Sequence, residues 1–196
     1  MQERQDWHKE LLGQLDAEQK QISVTDPDAR KLPTAHGTVV GYNAQLAVDA
    51  KHKLIAADDV TNEGTDLHQL ADVALQAKTN LAINQAEVLA DAGYYNAAEV
   101  SRCTRNKANR TITREANEPL MEAMAARMKQ HPEKFKLRKT LAEHPFGTIK
   151  RWFGYTHFLL KGLAKVQCEW SLTTLAYNLK RVLNLVSFEK LMAAVG

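Results

Sequence analysis

Cysteine is scarce in this chain. Cys103 and Cys168 are the only two, and they form no C-x-x-C pair. That argues against a structural zinc site, and spacing alone supports no disulfide. Long apolar runs are also missing. None approaches the roughly 18 residues needed to span a bilayer, so no membrane partner is expected. Met1 to Glu10 is polar and lacks the apolar core of a signal peptide, which makes a cytoplasmic protein the expectation. There is no internal repeat and no low-complexity linker. A large excess of one charge is absent too. The net charge of +3 points only weakly to a polyanionic partner, so its distribution matters more than its sum.

What remains is ordinary globular material. Hydrophobic residues make up 44% and charged residues 25%, the balance of a soluble folded protein. A length of 196 residues allows one ordinary domain or two very small ones. Residues 3 to 22 have helical spacing, with Trp7, Leu11, Leu12 and Leu15 on one side. Val24 to Arg30 reads as a turn around Pro27. Val40, Tyr42, Ala44, Leu46 and Val48 alternate with smaller or polar residues, which predicts a half-buried strand. Asp49 to Lys53 suits a hairpin loop, and Leu54 to Thr61 its antiparallel partner. Thr65 or Asp66 can cap a helix over roughly 66 to 79. Ala86 to Asp91 reads as a short apolar strand ending in an acid. Asn96 and Glu99 look like a capping box. From 115 onward the spacing is helical. One stripe holds Leu120, Met124 and Met128, a second lies within 137 to 153, and a third holds Leu172, Leu175, Leu179, Val182 and Val186.

Three segments can carry chemistry, and each has two readings. Asp91, followed by Gly93, is either a carboxylate presented at a sheet edge or the cap of a turn. Glu143 and Lys150 are seven apart and share a helix face. They are either a metal-binding acid beside a phosphate-binding cation or a solvated charged face. Pro145 between them either kinks that helix or marks its start. Residues 102 to 114 hold Arg102, Arg105, Lys107, Arg110 and Arg114 and no acid. That stretch suits a phosphate backbone, or is a solvated basic loop. Arg138, Lys139, Lys150, Arg151, Lys180 and Arg181 add cations on later helices.

Taken in order, six blocks resemble the catalytic domain of insertion-sequence DDE transposases, of the ribonuclease H-like kind. They are Thr25 to Arg30, Gly41 to Asp49, Asn62 to Asp66, Ala90 to Tyr95, the Glu143 to Lys150 spacing, and Leu175 to Arg181. The resemblance implies an α/β fold: an incomplete ribonuclease H-like domain. It would have a small mixed sheet (a hairpin plus a central strand), helices packed on it and a helical C-terminal half. Residues 1–21 would be a helix left from an insert, and 22–196 a partial catalytic domain. The implied activity is DNA transposition in a bacterial insertion sequence, by metal-dependent phosphodiester cleavage and strand transfer. Asp91 and Glu143 would be catalytic and would bind Mg²⁺ or Mn²⁺, since hard cations favour carboxylate oxygen. Lys150, Arg151, Arg138, Lys139, Arg102, Arg105, Lys107 and Arg110 would contact double-stranded DNA at transposon ends. Self-association, or binding to a full-length transposase, is the other implied partnership.

The sequence also departs from the family. The first catalytic Asp belongs to an Asp-Gly-Thr or Asp-Gly-Ser strand ahead of the Thr25 block, and residues 1 to 24 hold nothing like it. Asp49 is the one candidate substitute. Only 51 residues separate Asp91 from Glu143, where a longer segment is usual. Of the family's tyrosine-arginine-glutamate-lysine signature only the last two letters match. Lys139, beside Arg138, holds the Arg position and Lys136 the Tyr position. The expectation is an incomplete, inactive copy. Its competitors are an active transposase, a catalytically dead DNA-binding remnant, and a helical regulatory protein unrelated to DNA. Metal-dependent cleavage separates the first two, and DNA binding separates the last two.

Overall fold

The computed structural model describes residues 2–13, 22–34, 37–94, 96–104 and 114–195. Helix α1 (Gln2–Gly13) comes first, and the side chains described in it are exposed. The rest of the expected N-terminal helix lies outside the described residues. Two antiparallel hairpins follow. Strands β1 (Arg30–Thr34) and β2 (Gly37–Gly41) pair with each other, as do β3 (Asn43–Val48) and β4 (Ile55–Thr61). Helices α2 (Leu70–Asn80), α3 (Ala97–Thr104), α4 (Arg114–Gln130), α5 (Glu133–Arg151), α6 (Leu163–Leu185) and α7 (Phe188–Val195) complete the chain. No helix among the described residues is long and apolar enough to cross a membrane.

The β3–β4 hairpin is where the alternation placed it. Its loop is closed by Asp49, whose N–H donates to the Leu54 carbonyl at 2.8 Å and whose carboxylate accepts the His52 N–H at 2.6 Å. Asp49 is thus a turn residue. One correction concerns the start of this strand. Val40 lies not on β3 but on the separate β1–β2 arm, where it is 59% exposed. The β1 sequence, Arg-Lys-Leu-Pro-Thr, gave no strand signal because it contains proline and no alternation.

The core lies between β4, β3, α5 and α6. Ile55, Val60, Ile149, Val166, Trp170 and Tyr177 are buried together, with Tyr42, Leu46, Phe146 and Phe158 packed against them. Phe146 stacks on Trp170 at 5.9 Å, and Phe158 meets Trp170 edge-on at 6.1 Å, both geometries that aromatic rings favour. Helix α5 runs unbroken through Pro145, which is itself buried.

Helix α6 is apolar on two opposite sides. The side facing the core carries Val166, Trp170, Thr174 and Tyr177. The leucines of the sequence stripe point outward, Leu172 at 67%, Leu175 at 62% and Leu179 at 55% exposure.

The sheet is a second correction. Among the described residues it is not a mixed sheet with a central strand but two separate two-stranded antiparallel sheets. Ala86–Asp91 is not a strand, and every residue from 81 to 93 is exposed. A strand is held by its ladder to a neighbour, and β4 has no edge to offer. Side-chain amides already occupy that edge. Asn178 brackets Ile55, accepting its N–H and donating to its carbonyl, both at 2.8 Å. Gln167 donates to the Val60 carbonyl at 3.0 Å and Asn80 to that of Ala56 at 2.9 Å. Such cover blunts a strand edge.

The capping expectations fare unevenly. Asn96 does cap α3, accepting the Ala98 N–H at 2.9 Å. Glu99 does not close a box with it. Its buried carboxylate instead accepts the Ala71 N–H at 3.0 Å, in the first turn of α2. Helix α2 begins at Leu70, later than expected, because the Asp66 side chain is engaged elsewhere.

Candidate functional site

Asp91 sits at the entry to a short 3₁₀ turn, Ala92–Tyr94. Its carboxylate accepts the Ala92 N–H at 2.8 Å and a hydrogen-bonded ion pair from Arg138 of α5. The Arg138 guanidinium, helped by that N–H, holds the Asp91 carboxyl below its ordinary 3.8 against the opposing effect of burial. Asp91 is therefore a charge-compensated anion over the whole physiological range.

The turn after Asp91 is tied back to the hairpin through a polar cluster. The Tyr94 hydroxyl donates to Gln45 of β3, which is buried. The Gln45 amide in turn donates to Asp66 at 2.8 Å, and Asn43 donates to the same Asp66 oxygen at 2.7 Å. Burial, reinforced by Asp66 and Asp91, pushes the Tyr94 phenol up to about 12. A Cβ on Gly93 would meet the other Asp66 oxygen at 3.4 Å, so the backbone approaches that carboxylate closely. The acid brought to the Asp91 turn is thus Asp66, which the sequence pattern had suggested as a helix cap.

Glu143 lies on α5, exposed, five residues beyond Arg138. On a regular helix that is about 7.5 Å further along the axis and roughly 140° around it. The cation on Asp91 and the second candidate acid therefore leave α5 on different sides. Beside Glu143, His144 is wired into the core. Its Nδ1 lies 2.9 Å from the Tyr177 hydroxyl, which donates to the Lys53 carbonyl at 2.7 Å. Tyr177 has one proton and gives it to Lys53, so His144 must carry its proton on Nδ1. Burial, with Lys53 and Arg181 nearby, keeps this imidazole below its ordinary 6.5 and hence neutral.

The expected DNA contacts divide. Lys150 and Arg151 are exposed in the last turn of α5. Arg138 is engaged by Asp91, and Arg102 by Asp72 at 2.5 Å and Glu99 at 2.8 Å. Arg105, Lys107 and Arg110 lie outside the described residues, as does the side chain of Lys139. One basic stretch went unread. From His144 to Cys168 there is no acid, and its four cations, Lys150, Arg151, Lys161 and Lys165, are all exposed. A scan for acid-free windows would have found it.

That stretch is shaped by three carboxylates outside it. Asp26 accepts the Gly162 N–H at 3.2 Å, and Asp28 accepts the Leu163 N–H at 2.9 Å, where α6 begins. Gly162 has φ of +87°, a conformation that favours glycine. Glu169 accepts the N–H groups of Leu159 and Leu160, both at 2.8 Å, and the Tyr155 hydroxyl. Burial alone would raise the Asp26 and Glu169 carboxyls. The donors, led by Tyr42 for Asp26 and Tyr155 for Glu169, outweigh it and hold both below their ordinary values.

The donor chemistry suits a hard divalent cation, because Asp91, Glu143 and Asp66 offer carboxylate oxygen. The arrangement does not. One Asp91 oxygen is taken by a guanidinium, and the described residues bring no three candidate ligands together.

A family model, that of the transposase DDE domain, matches residues 15–179. No curated protein and no solved structure matches the chain.

Proposed function

Since this chain belongs to the transposase DDE domain family, whose business is DNA transposition and recombination, we propose that it is an insertion-sequence transposase domain that binds duplex DNA without cutting or joining it. In this reading the domain is a partial ribonuclease H-like fold over 22–196, and 1–21 is what remains of an insert. The source is a bacterial insertion sequence. Asp91 and Glu143 hold the places of the second and third acids of the family's three-carboxylate site.

The observation that carries the proposal is the Arg138 ion pair on Asp91. The guanidinium occupies one Asp91 oxygen and offsets the negative charge that would draw a divalent cation there. A cation bound at Asp91 would meet it as a like charge. In the family the bound metals activate the attacking oxygen and stabilise the leaving one. No step of that kind is assigned to this chain. Its own residues supply phosphate contacts. Lys150 and Arg151 at the end of α5, with Lys161 just before α6 and Lys165 in its first turn, form an acid-free exposed strip. Phosphate contacts of this type give affinity without sequence preference.

Two assays on the purified chain test this. The first mixes a pre-cut duplex oligonucleotide with supercoiled plasmid and Mg²⁺ or Mn²⁺, beside an Asp91→Ala control. No joined product is expected. Metal-dependent joining that disappears in the control would overturn the claim of inactivity. The second follows duplex binding by fluorescence anisotropy against salt. Lys150→Ala with Arg151→Ala should lower the log-log salt slope by about 1.8, at roughly 0.9 for each phosphate no longer neutralised. Absence of binding at about 50 mM salt, where electrostatic binding is strong, would remove the DNA reading altogether.

A further inference from the structure

Among the described residues, Trp152 is the most exposed of the large apolar side chains, at 76%. An indole carries one of the largest apolar surfaces of any side chain, so leaving it in water forgoes a large gain from burial. Its place is nevertheless fixed. The N–H groups of Trp152 and Phe153 both donate to the Thr148 carbonyl, at 2.9 and 3.3 Å, and the Tyr155 N–H donates to that of Ile149 at 3.2 Å. Phe153 packs against the core. Lys180 of α6 sets its ammonium 5.0 Å from the centre of the Trp152 ring and 5.4 Å from that of Phe153. The indole thus stands on a firm base, with a cation over its ring and most of its surface open. Trp152 keeps helical backbone angles at the end of α5. At about 100° per residue it lies roughly 180° around the helix from Glu143, on the side away from that acid.

We propose that Trp152 is a stacking platform for an unpaired DNA base, so that the chain favours duplex ends with a single-stranded tail over blunt ones. This rests on the DNA-binding reading above and adds a base contact to its phosphate contacts. Charge is the first argument. No acid occurs from 144 to 168 or from 170 to 188, the two stretches that meet where Lys180 covers the Trp152 ring. Lys150, Arg151 and Lys180 are all exposed around it. An apolar protein face or a lipid tail gains nothing from these cations. A nucleotide uses both features, its phosphate meeting the cations and its base the ring. Ring chemistry is the second argument. Every base has a π-face, and stacking on an aromatic side chain is correspondingly tolerant of sequence. A base inside a duplex has both faces covered by its neighbours, whereas an unpaired one has a face to give. Reach is the third. Lys150 and Trp152 leave the end of α5 about 200° apart. Duplex DNA held at Lys150 is too stiff to bend around that helix end, but a single strand can follow it.

The test is fluorescence anisotropy of the full chain with a labelled duplex that carries a tail of about four nucleotides on one strand, either adenine or abasic. The tails have the same phosphates and differ only in their bases. The adenine-tailed duplex is expected to bind about fivefold or more tighter. It should also quench tryptophan fluorescence, and the quenching should vanish in Trp152→Leu although Trp7 and Trp170 remain. Trp152→Leu should equalise the two tails, and Trp152→Phe, which keeps a ring, should restore part of the difference. If Trp152→Leu loses its helical circular dichroism, Trp152→Gln is read in its place. Equal affinities in the native chain overturn the proposal, as does a difference that survives Trp152→Leu. Failure of the duplex reading shows itself separately, as loss of binding to the abasic-tailed duplex. The comparison is then made on single strands of adenine and abasic nucleotides, where equal binding, or none, overturns the stacking role as well.

Discussion

Two parts of this molecule are held by different physics. The β3–β4 hairpin, the second half of α5 and one side of α6 share one core, and their loops are pinned by part-buried hydrogen bonds. Asn178 brackets Ile55, and Asp26 reaches Gly162 across 136 positions of sequence. The stretch from 81 to 93 has none of this. Its side chains are exposed, and it is fastened to α5 by two ion pairs, Lys134 with Glu87 and Arg138 with Asp91. Burial, with buried bonds, is worth several kcal/mol per group, whereas exposed ion pairs are worth about 1 kcal/mol or less. The two candidate acids fall on opposite sides of this divide. Glu143 belongs to a helix rooted in the core, and Asp91 to the loosely fastened stretch. A site that needs both must hold them in register, and only one of them is firmly placed.

The sharpest way to break the comparison is one truncation in each part. Trp170→Ala removes a side chain that is 3% exposed and stacked on Phe146. It should cost about 3–5 kcal/mol, enough to unfold most of a marginally stable domain. Leu89→Ala, at a site 39% exposed in the loose stretch, should cost within about 0.5 kcal/mol. Urea midpoints of the two variants check this. Comparable losses would mean that 81–93 is packed more firmly than its exposure indicates.

Much of this division was legible in the sequence, and the reasons for the rest are physical. The hairpin was read because Tyr42 to Val48 alternates, and alternation is local information. The family was read because six blocks kept their order over most of the chain. Ala86–Asp91 was misread because strand propensity says nothing about whether an edge is free, and the β4 edge is covered by amides from Asn178, Gln167 and Asn80. Which side of α6 is buried was not legible, because helical spacing cannot tell which of two opposite stripes meets the core. Asp26 and Asp28 looked like a turn, and they are one, with Ala29 N–H to Asp26 carbonyl at 3.1 Å. Their larger part, at the start of α6, depends on contacts that no local window contains. Within the candidate site, the spacing of Glu143 and Lys150 was visible. The guanidinium on Asp91 was not, because it comes from a helix 47 positions away.

A smaller effect is expected from acid. Asp26 and Glu169 have carboxyls held below their ordinary values, 3.8 and 4.5, by the N–H and O–H groups they accept from. The folded state therefore binds fewer protons than the unfolded chain as pH falls through that range. Their contribution is complete above the ordinary values and is lost as pH drops through the depressed ones. Asp26→Ala should remove part of this acid sensitivity and cost about 1–3 kcal/mol at neutral pH, the cost of leaving buried donors unmet. His144 acts in the same direction at higher pH. Its imidazole is neutral in the fold below 6.5, so stability begins to decline as pH falls past that value. Urea unfolding at several pH values, with and without Asp26, measures the difference.

A small global effect should come from Arg138→Gln, and it tests the loose side of the comparison directly. Arg138 is partly buried but its partner carboxylate is 67% exposed, so solvent screens the pair. Global stability should change by within about 1 kcal/mol. The local change should be plain. The cause that lowers the Asp91 carboxyl most is removed, so its titration, followed by NMR of the side-chain carboxyl, should move up towards 3.8. High salt should do the same to the native chain, since a Debye length of about 3 Å at 1 M leaves little of an exposed ion pair. Amide exchange at Ala92, whose N–H is held by Asp91, should quicken while the β3–β4 amides keep their protection, because the hairpin's bonds are made within the core. If the substitution instead slows exchange there, or costs as much as Asp26→Ala, the Asp91 stretch draws its order from the core. In that case the ion pair is a consequence of its position and not the cause.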